Sequence, residues 1–109
     1  MIMKKIKQLG VKKLKSKKKV LLIANGANAF WVHQGPVLRS LVDLAKFLEI
    51  ITVEQFNYHV RPNAAGGNDF SHWVAEVLQD QTCATALART KTSTAARRVV
   101  KRSLARYDA

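Results

Sequence analysis

Asn68-Asp69-Phe70-Ser71-His72-Trp73-Val74, with the apolar residues that follow, leaves little freedom in how the middle of this chain folds. Phe70, Trp73, Val74, Val77 and Leu78 recur at the spacing of one face of an α-helix. Asn68 and Asp69 stand immediately ahead of that face. A short polar side chain there accepts a hydrogen bond from the helix's free N–H groups, and Asp69 also complements the positive end of the helix dipole. The spacing predicts a helix from Phe70 to Gln79, with its two aromatics anchoring the core.

Weaker signals of the same kind flank it. Gly35-Pro36 reads as a helix opening, because proline in the first turn lacks only an N–H that would go unbonded. Val37, Leu41, Leu44, Ala45 and Leu48 would form its inward stripe, and Ser40 with Asp43 offers a capping pair if the helix starts later. Thr52-Val53-Glu54-Gln55 has the form of a capping box before Val53, Phe56 and Val60. Arg61-Pro62 ends that helix, and Asn63 to Gly67 reads as a loop. Asp80 is placed to cap a short helix burying Cys83, Ala84 and Leu87. A last helix starts near Thr94, with Ala96, Val99, Val100, Leu104 and Tyr107 along one side. Val20-Leu21-Leu22-Ile23 is either a short buried strand or a helix end, and periodicity does not choose. Ala29-Phe30-Trp31-Val32 is apolar throughout and is expected inside. The chain therefore reads as mainly α, a compact bundle of about five short helices with basic N- and C-terminal extensions.

Charge divides the chain of 109 residues into three parts. Residues 1–19 form a basic arm holding Lys4, Lys5, Lys7, Lys12, Lys13, Lys15, Lys17, Lys18 and Lys19 with no acid. Residues 20–88, the expected helical core domain, carry three basic and six acidic residues. Residues 89–109, the basic C-terminal helix, hold seven basic residues against Asp108 alone, so the net charge of +12 resides entirely on the two ends. On that last helix Arg97, Arg98, Lys101 and Arg102 cluster opposite the apolar side, with Arg106 beyond them. Whether it docks on the core or extends from it is left open. A mildly acidic core between two basic segments points to a polyanionic partner.

Phe30-Trp31 to Gly35, Ser40-Leu41 with Leu44, Phe56 with His59-Val60, Asn68-Asp69-Phe70 with Trp73, and Asp80 with Ala84 form one further pattern. By these residues the stretch from 29 to 88 resembles a small, functionally uncharacterised prokaryotic domain family. The loop Arg61 to Gly67 is longer than in that pattern, Gln79 stands where a glycine is common, and Cys83 replaces a leucine. The resemblance implies a compact helical fold and supplies no activity.

No catalytic constellation is visible. His33, His59, His72 and Cys83 contain no close ligand pair of the kind zinc sites use, so no metal or other cofactor is expected. Cys83 sits at a helical core position beside alanines, where a thiolate is disfavoured. Asp69 and Glu76 lie two turns apart, but Glu76 reads as a solvated surface charge. Gly66-Gly67 lacks the lysine of a phosphate loop. Phe30, Trp31, Phe56, Phe70 and Trp73 are assigned to packing, and Tyr58 is the exception because it falls off its helix's apolar face.

The single cysteine rules out an intrachain disulfide and suits a reducing, cytoplasmic setting. The apolar run Val20 to Ala24 is too short, and the lysine run before it too long, for a signal peptide, and no integral membrane association is expected. The expectation is a non-enzymatic protein that binds RNA or DNA with little sequence specificity, in a ribonucleoprotein such as the ribosome or in a chromatin-like assembly. Its contacts would be the arm lysines together with Arg97, Arg98, Lys101, Arg102 and Arg106. The alternative is a helical protein–protein interaction module whose tails only add solubility. Attachment of Ile2, Ile6 and Leu9 to an anionic membrane surface ranks last, for want of apolar area.

Overall fold

The computed structural model describes residues 19–61 and 67–108. Five helices, α1 (Leu41–Phe47), α2 (Val53–His59), α3 (Asp69–Glu76), α4 (Gln81–Ala88) and α5 (Ser93–Leu104), surround one core, as the mainly α reading requires. Helices this short are marginal alone, so each depends on its cap and on packing. Ser40, Thr52, Asn68, Asp80 and Thr92 cap the five in turn, each side chain accepting from a backbone N–H three residues on. Such a cap is typically worth about 1 kcal/mol. At Thr52 the box is complete, because the Gln55 carbonyl returns to accept from the Thr52 N–H.

The segment before α1 departs from expectation. Gly35-Pro36 does not open a helix but turns a hairpin between β2 (Phe30–Trp31) and β3 (Val37–Leu38), which pair antiparallel. Gln34 takes a φ of 53°, and a Cβ at Gly35 would lie 2.8 Å from both Val32 Cγ1 and Gln55 Nε2, so the turn has room only for glycine there. Gln55 Nε2 also donates to the His33 and Gln34 carbonyls, fastening the turn to α2. Val37 therefore belongs to a strand, and α1 begins at the later start signalled by Ser40 and Asp43. Strand alternation explains a second departure. Phe30 points inward, whereas Trp31, expected inside, is 65% exposed and its indole N–H donates to the Gly26 carbonyl. Val20 enters a two-residue strand, β1 (Lys19–Val20), but it is 73% exposed, so neither reading of the Val20–Ile23 run holds.

Phe70, only 1% exposed, stacks on Phe30 with ring centroids 4.9 Å apart, and Trp73 closes edge-on to Phe30 while donating to the Asn28 carbonyl at 2.8 Å. His59, buried beside these rings, is fixed at both nitrogens. The His33 N–H donates to Nε2 at 3.0 Å, which leaves Nδ1 to carry the hydrogen and donate to Asp69 Oδ2, also at 3.0 Å. A bridge between Val60 and Asn68, continued by Arg61 N–H to Gly67 O, draws α2 and α3 together. After α3 the chain reverses through Gln79 at a φ of 57°, a left-handed position that costs least with glycine.

α5 is docked. Ala96, Val99, Val100 and Ser103 are buried against α1 and α4, in the same core as the residues before 88. Asp80 makes the closing contact. Fully buried, it accepts from the Cys83 N–H at 3.0 Å, the Tyr107 hydroxyl at 2.5 Å and Arg106 Nη2 at 3.3 Å. Tyr107 opens β4 (Tyr107–Asp108), which pairs in parallel with β1. Burial, and next the hydrogen bond to Asp80, raise the Tyr107 hydroxyl well above its ordinary value of 10.0.

These contacts set stability. Phe70→Ala should cost about 3–5 kcal/mol in urea unfolding, the usual range for truncating a buried aromatic. Tyr107→Phe should cost about 1–3 kcal/mol, because a buried carboxylate loses a donor. The raised ionisation has a sign. In the unfolded chain the tyrosine ionises near its ordinary value of 10.0, while the folded chain holds the proton longer, so its contribution is complete below that pH and is lost as pH rises through it. Unfolding followed from pH 8 to about pH 11 should therefore show a steeper alkaline loss in the parent protein than in Tyr107→Phe.

Candidate nucleic-acid interface

Docking α5 by its apolar side turns its charges outward. The buried positions Ala96, Val99, Val100 and Ser103 occupy one stripe, which leaves Arg98, Lys101 and Arg102 exposed and Arg97 half-buried along the opposite side. Thr94 and these four side chains line a shallow hollow open to solvent. α5 contains no acidic residue, so the pairs Arg97 with Lys101 and Arg98 with Arg102 repel at a one-turn spacing. Each such pair costs an isolated helix about 0.2–0.5 kcal/mol. A polyanion on this face would relieve that repulsion and release its own counterions.

Of the other expected contacts, Lys4, Lys5, Lys7, Lys12, Lys13, Lys15, Lys17 and Lys18 lie outside the described residues. Lys19 is the first one described, and its backbone pairs with Tyr107, just past the end of α5. The root of the lysine arm is thus held beside the basic helix, although the two are remote in sequence. Arg106 is placed differently. Its Nη2 contacts buried Asp80 at 3.3 Å, while its side chain is 38% exposed. It does not join the free face formed by the other four.

Several of the remaining candidates are engaged within the fold. His59 and Asp69 hold one another, Arg61 Nη2 adds a 3.3 Å contact to Asp69, and His72 and Glu76 are exposed. Asp69 is thus engaged on both oxygens, by His59 and by Arg61. Among the described residues no group of three histidine, cysteine or acidic side chains could hold a metal ion. Cys83 is buried, and desolvation pushes its thiol above the ordinary value, opposed by a hydrogen bond with Ser103. Tyr58 is 51% exposed, but one face is covered by the His33 ring, parallel at 3.9 Å, so only the other could meet a base.

One cationic feature is absent from the sequence reading. Arg61, His72, Arg89 and Lys91 border a cleft of about 340 Å³ between α3 and α4. Arg61 is 28 residues before Arg89 in the chain, and only the antiparallel seating of α3 on α4 brings them to one rim. No local signal marks such a grouping.

Among the described residues no helix is long and apolar enough to cross a membrane. The buried, protonated Cys83 should react with a disulfide reagent only as fast as the protein opens, and at the rate of an ordinary exposed thiol in denaturant. Comparison of the chain with protein-family models, with curated proteins and with solved structures finds no match.

Proposed function

We propose that this chain is a non-enzymatic, cytoplasmic nucleic-acid-binding protein that grips the phosphates of RNA or DNA with little sequence specificity, within a ribonucleoprotein or a chromatin-like assembly. The observation that carries the reading is the basic face of α5, with Lys19, the first described residue of the lysine-rich segment, paired beside the end of that helix. The Arg97, Arg98, Lys101 and Arg102 face of α5 looks to solvent. Arginine at three of these four positions suits phosphate, because guanidinium donates two parallel hydrogen bonds to its oxygens. A helix packed lengthwise on the core by its apolar side tracks a backbone rather than entering a groove to read bases.

A protein–protein module is favoured by a different observation. Trp31, Ile50 and Val53 are 65%, 74% and 75% exposed, which is much large apolar surface for so small a domain.

The test is binding of the full chain to duplex DNA and to structured RNA across a salt series, beside a variant carrying R97A, R98A, K101A and R102A. Tight binding at low salt with a steep slope is expected, and the four substitutions should flatten that slope by about 3–4 phosphate equivalents. The polymer bound more tightly names the partner. Absence of binding to either polymer at low salt sinks the reading. A partner contact that survives both high salt and the substitutions would favour the apolar surface instead.

A further inference from the structure

The cleft between α3 and α4 is walled by groups that are already committed to one another. Asn68 Oδ1 accepts from the Ser71 N–H at 2.9 Å, and Asn68 Nδ2 donates to the Leu87 carbonyl at 2.9 Å. The Ser71 hydroxyl donates to Ala84 O, and Thr90 Oγ1 to Leu87 O, both at 2.7 Å. Two of these bonds, Asn68 to Leu87 and Ser71 to Ala84, tie the first turn of α3 to α4 and hold the walls in place. Among the described residues that line the cleft, the charged side chains are all basic. Arg61 contributes a guanidinium shared with Asp69, and Arg89 and Lys91 contribute exposed charges with no ion pair among the described residues. His72 adds an exposed imidazole on the first turn of α3.

We propose that this cleft binds a phosphate group esterified to a sugar. Basic side chains from two separate chain segments border one rim: the Arg89 guanidinium fork and the Lys91 ammonium, both exposed, and Arg61, whose guanidinium also donates to Asp69 and to the Tyr58 carbonyl, a set that matches the oxygens and the charge of a phosphate. Asp69 offsets part of the Arg61 charge, which leaves Arg89 and Lys91 as the rim cations with no ion pair among the described residues. The volume of about 340 Å³ lies at the small end of ligand pockets, which span roughly 300–1,000 Å³, so it accommodates a phosphate with its sugar and not an extended ligand. The clamped walls keep the rim in place before binding and lower the ordering cost. The phosphate can come from a nucleic-acid strand, making this a second grip in the core beside α5, or from a free phosphorylated metabolite. The first source rests on the function proposed above. The site itself does not.

The experiment follows backbone amide shifts in the full chain during titration with inorganic phosphate, then a mononucleotide, then a single-stranded oligonucleotide. It is repeated with R89A/K91A, whose exposed positions should leave the thermal midpoint unchanged. Inorganic phosphate and the mononucleotide should shift the amides of Ser71, His72, Ala88 and Lys91 saturably in the parent protein and not in the variant. If the strand is the source, R89A/K91A should also weaken oligonucleotide binding about five- to tenfold and flatten its salt slope by about 1–2. Saturable mononucleotide binding with oligonucleotide affinity unchanged in the variant, or with no oligonucleotide binding at all, upholds the site and assigns it to a free phosphorylated ligand. The absence of oligonucleotide binding also removes the proposed function. Shifts that fail to saturate at these amides, with oligonucleotide binding indifferent to R89A/K91A, overturn the cleft even if α5 proves to bind nucleic acid.

Discussion

A buried carboxylate governs how this protein closes. Asp80 has no exposed surface, and an ionised group so placed must be met by donors or it costs several kcal/mol. Among the described residues, its donors come from two distant segments: the Cys83 N–H at the start of α4, and Arg106 with Tyr107 after α5. One side chain thus starts a helix, fixes where the last helix ends, and places Tyr107 so that β4 can receive β1. Satisfying Asp80 therefore positions both ends of the described chain at once. It also accounts for the separation of Arg106 from the rest of the basic cluster, since its charge answers Asp80.

The surface chemistry follows from that closure. Because Val99 and Val100 are drawn into the core, the cations one position away on the helix must face water, and no acid on α5 offsets them. Because β1 lies along β4, the lysine-rich segment starts from the same end of the molecule. On the opposite wall of α4, the hydrogen bonds of Asn68 and Ser71 bind α3 to α4 and bring Arg61 within reach of Arg89 and Lys91. In each case a polar or apolar contact inside the protein decides which charges become neighbours outside it.

Much of the fold was legible because its signals are local. Caps act over three residues, so Thr52 with Gln55, Asn68 and Asp80 announce themselves in the sequence, and helical spacing identifies Phe70, Trp73, Cys83, Leu87, Ala96 and Val100 as inward-facing. The misreadings share a cause as well. Pro36 suits a helix start and a hairpin turn equally, and the choice came from the pairing of Phe30 with Leu38 and from the absence of space for a Cβ at residue 35. Trp31 is apolar in composition but sits on the outward side of a two-residue strand. Of the candidate interface, the α5 cluster was readable from periodicity. Arg106's commitment to Asp80 and the grouping of Arg61 with Arg89 were not, since both join residues more than 25 positions apart.

By itself the sequence determined where α2, α3 and α4 start, which helix faces are apolar, and that positive charge gathers at both ends of the chain. Those properties depend on covalent neighbours and on the helical repeat, which act within a few residues. Only the tertiary structure decided that α5 docks, that Lys19 pairs just past the end of that helix, that Arg106 reaches a buried acid, and that a cleft bordered by basic residues opens between α3 and α4. Each of those outcomes depends on which distant groups satisfy one another once water is excluded, and no spacing along the chain encodes that choice.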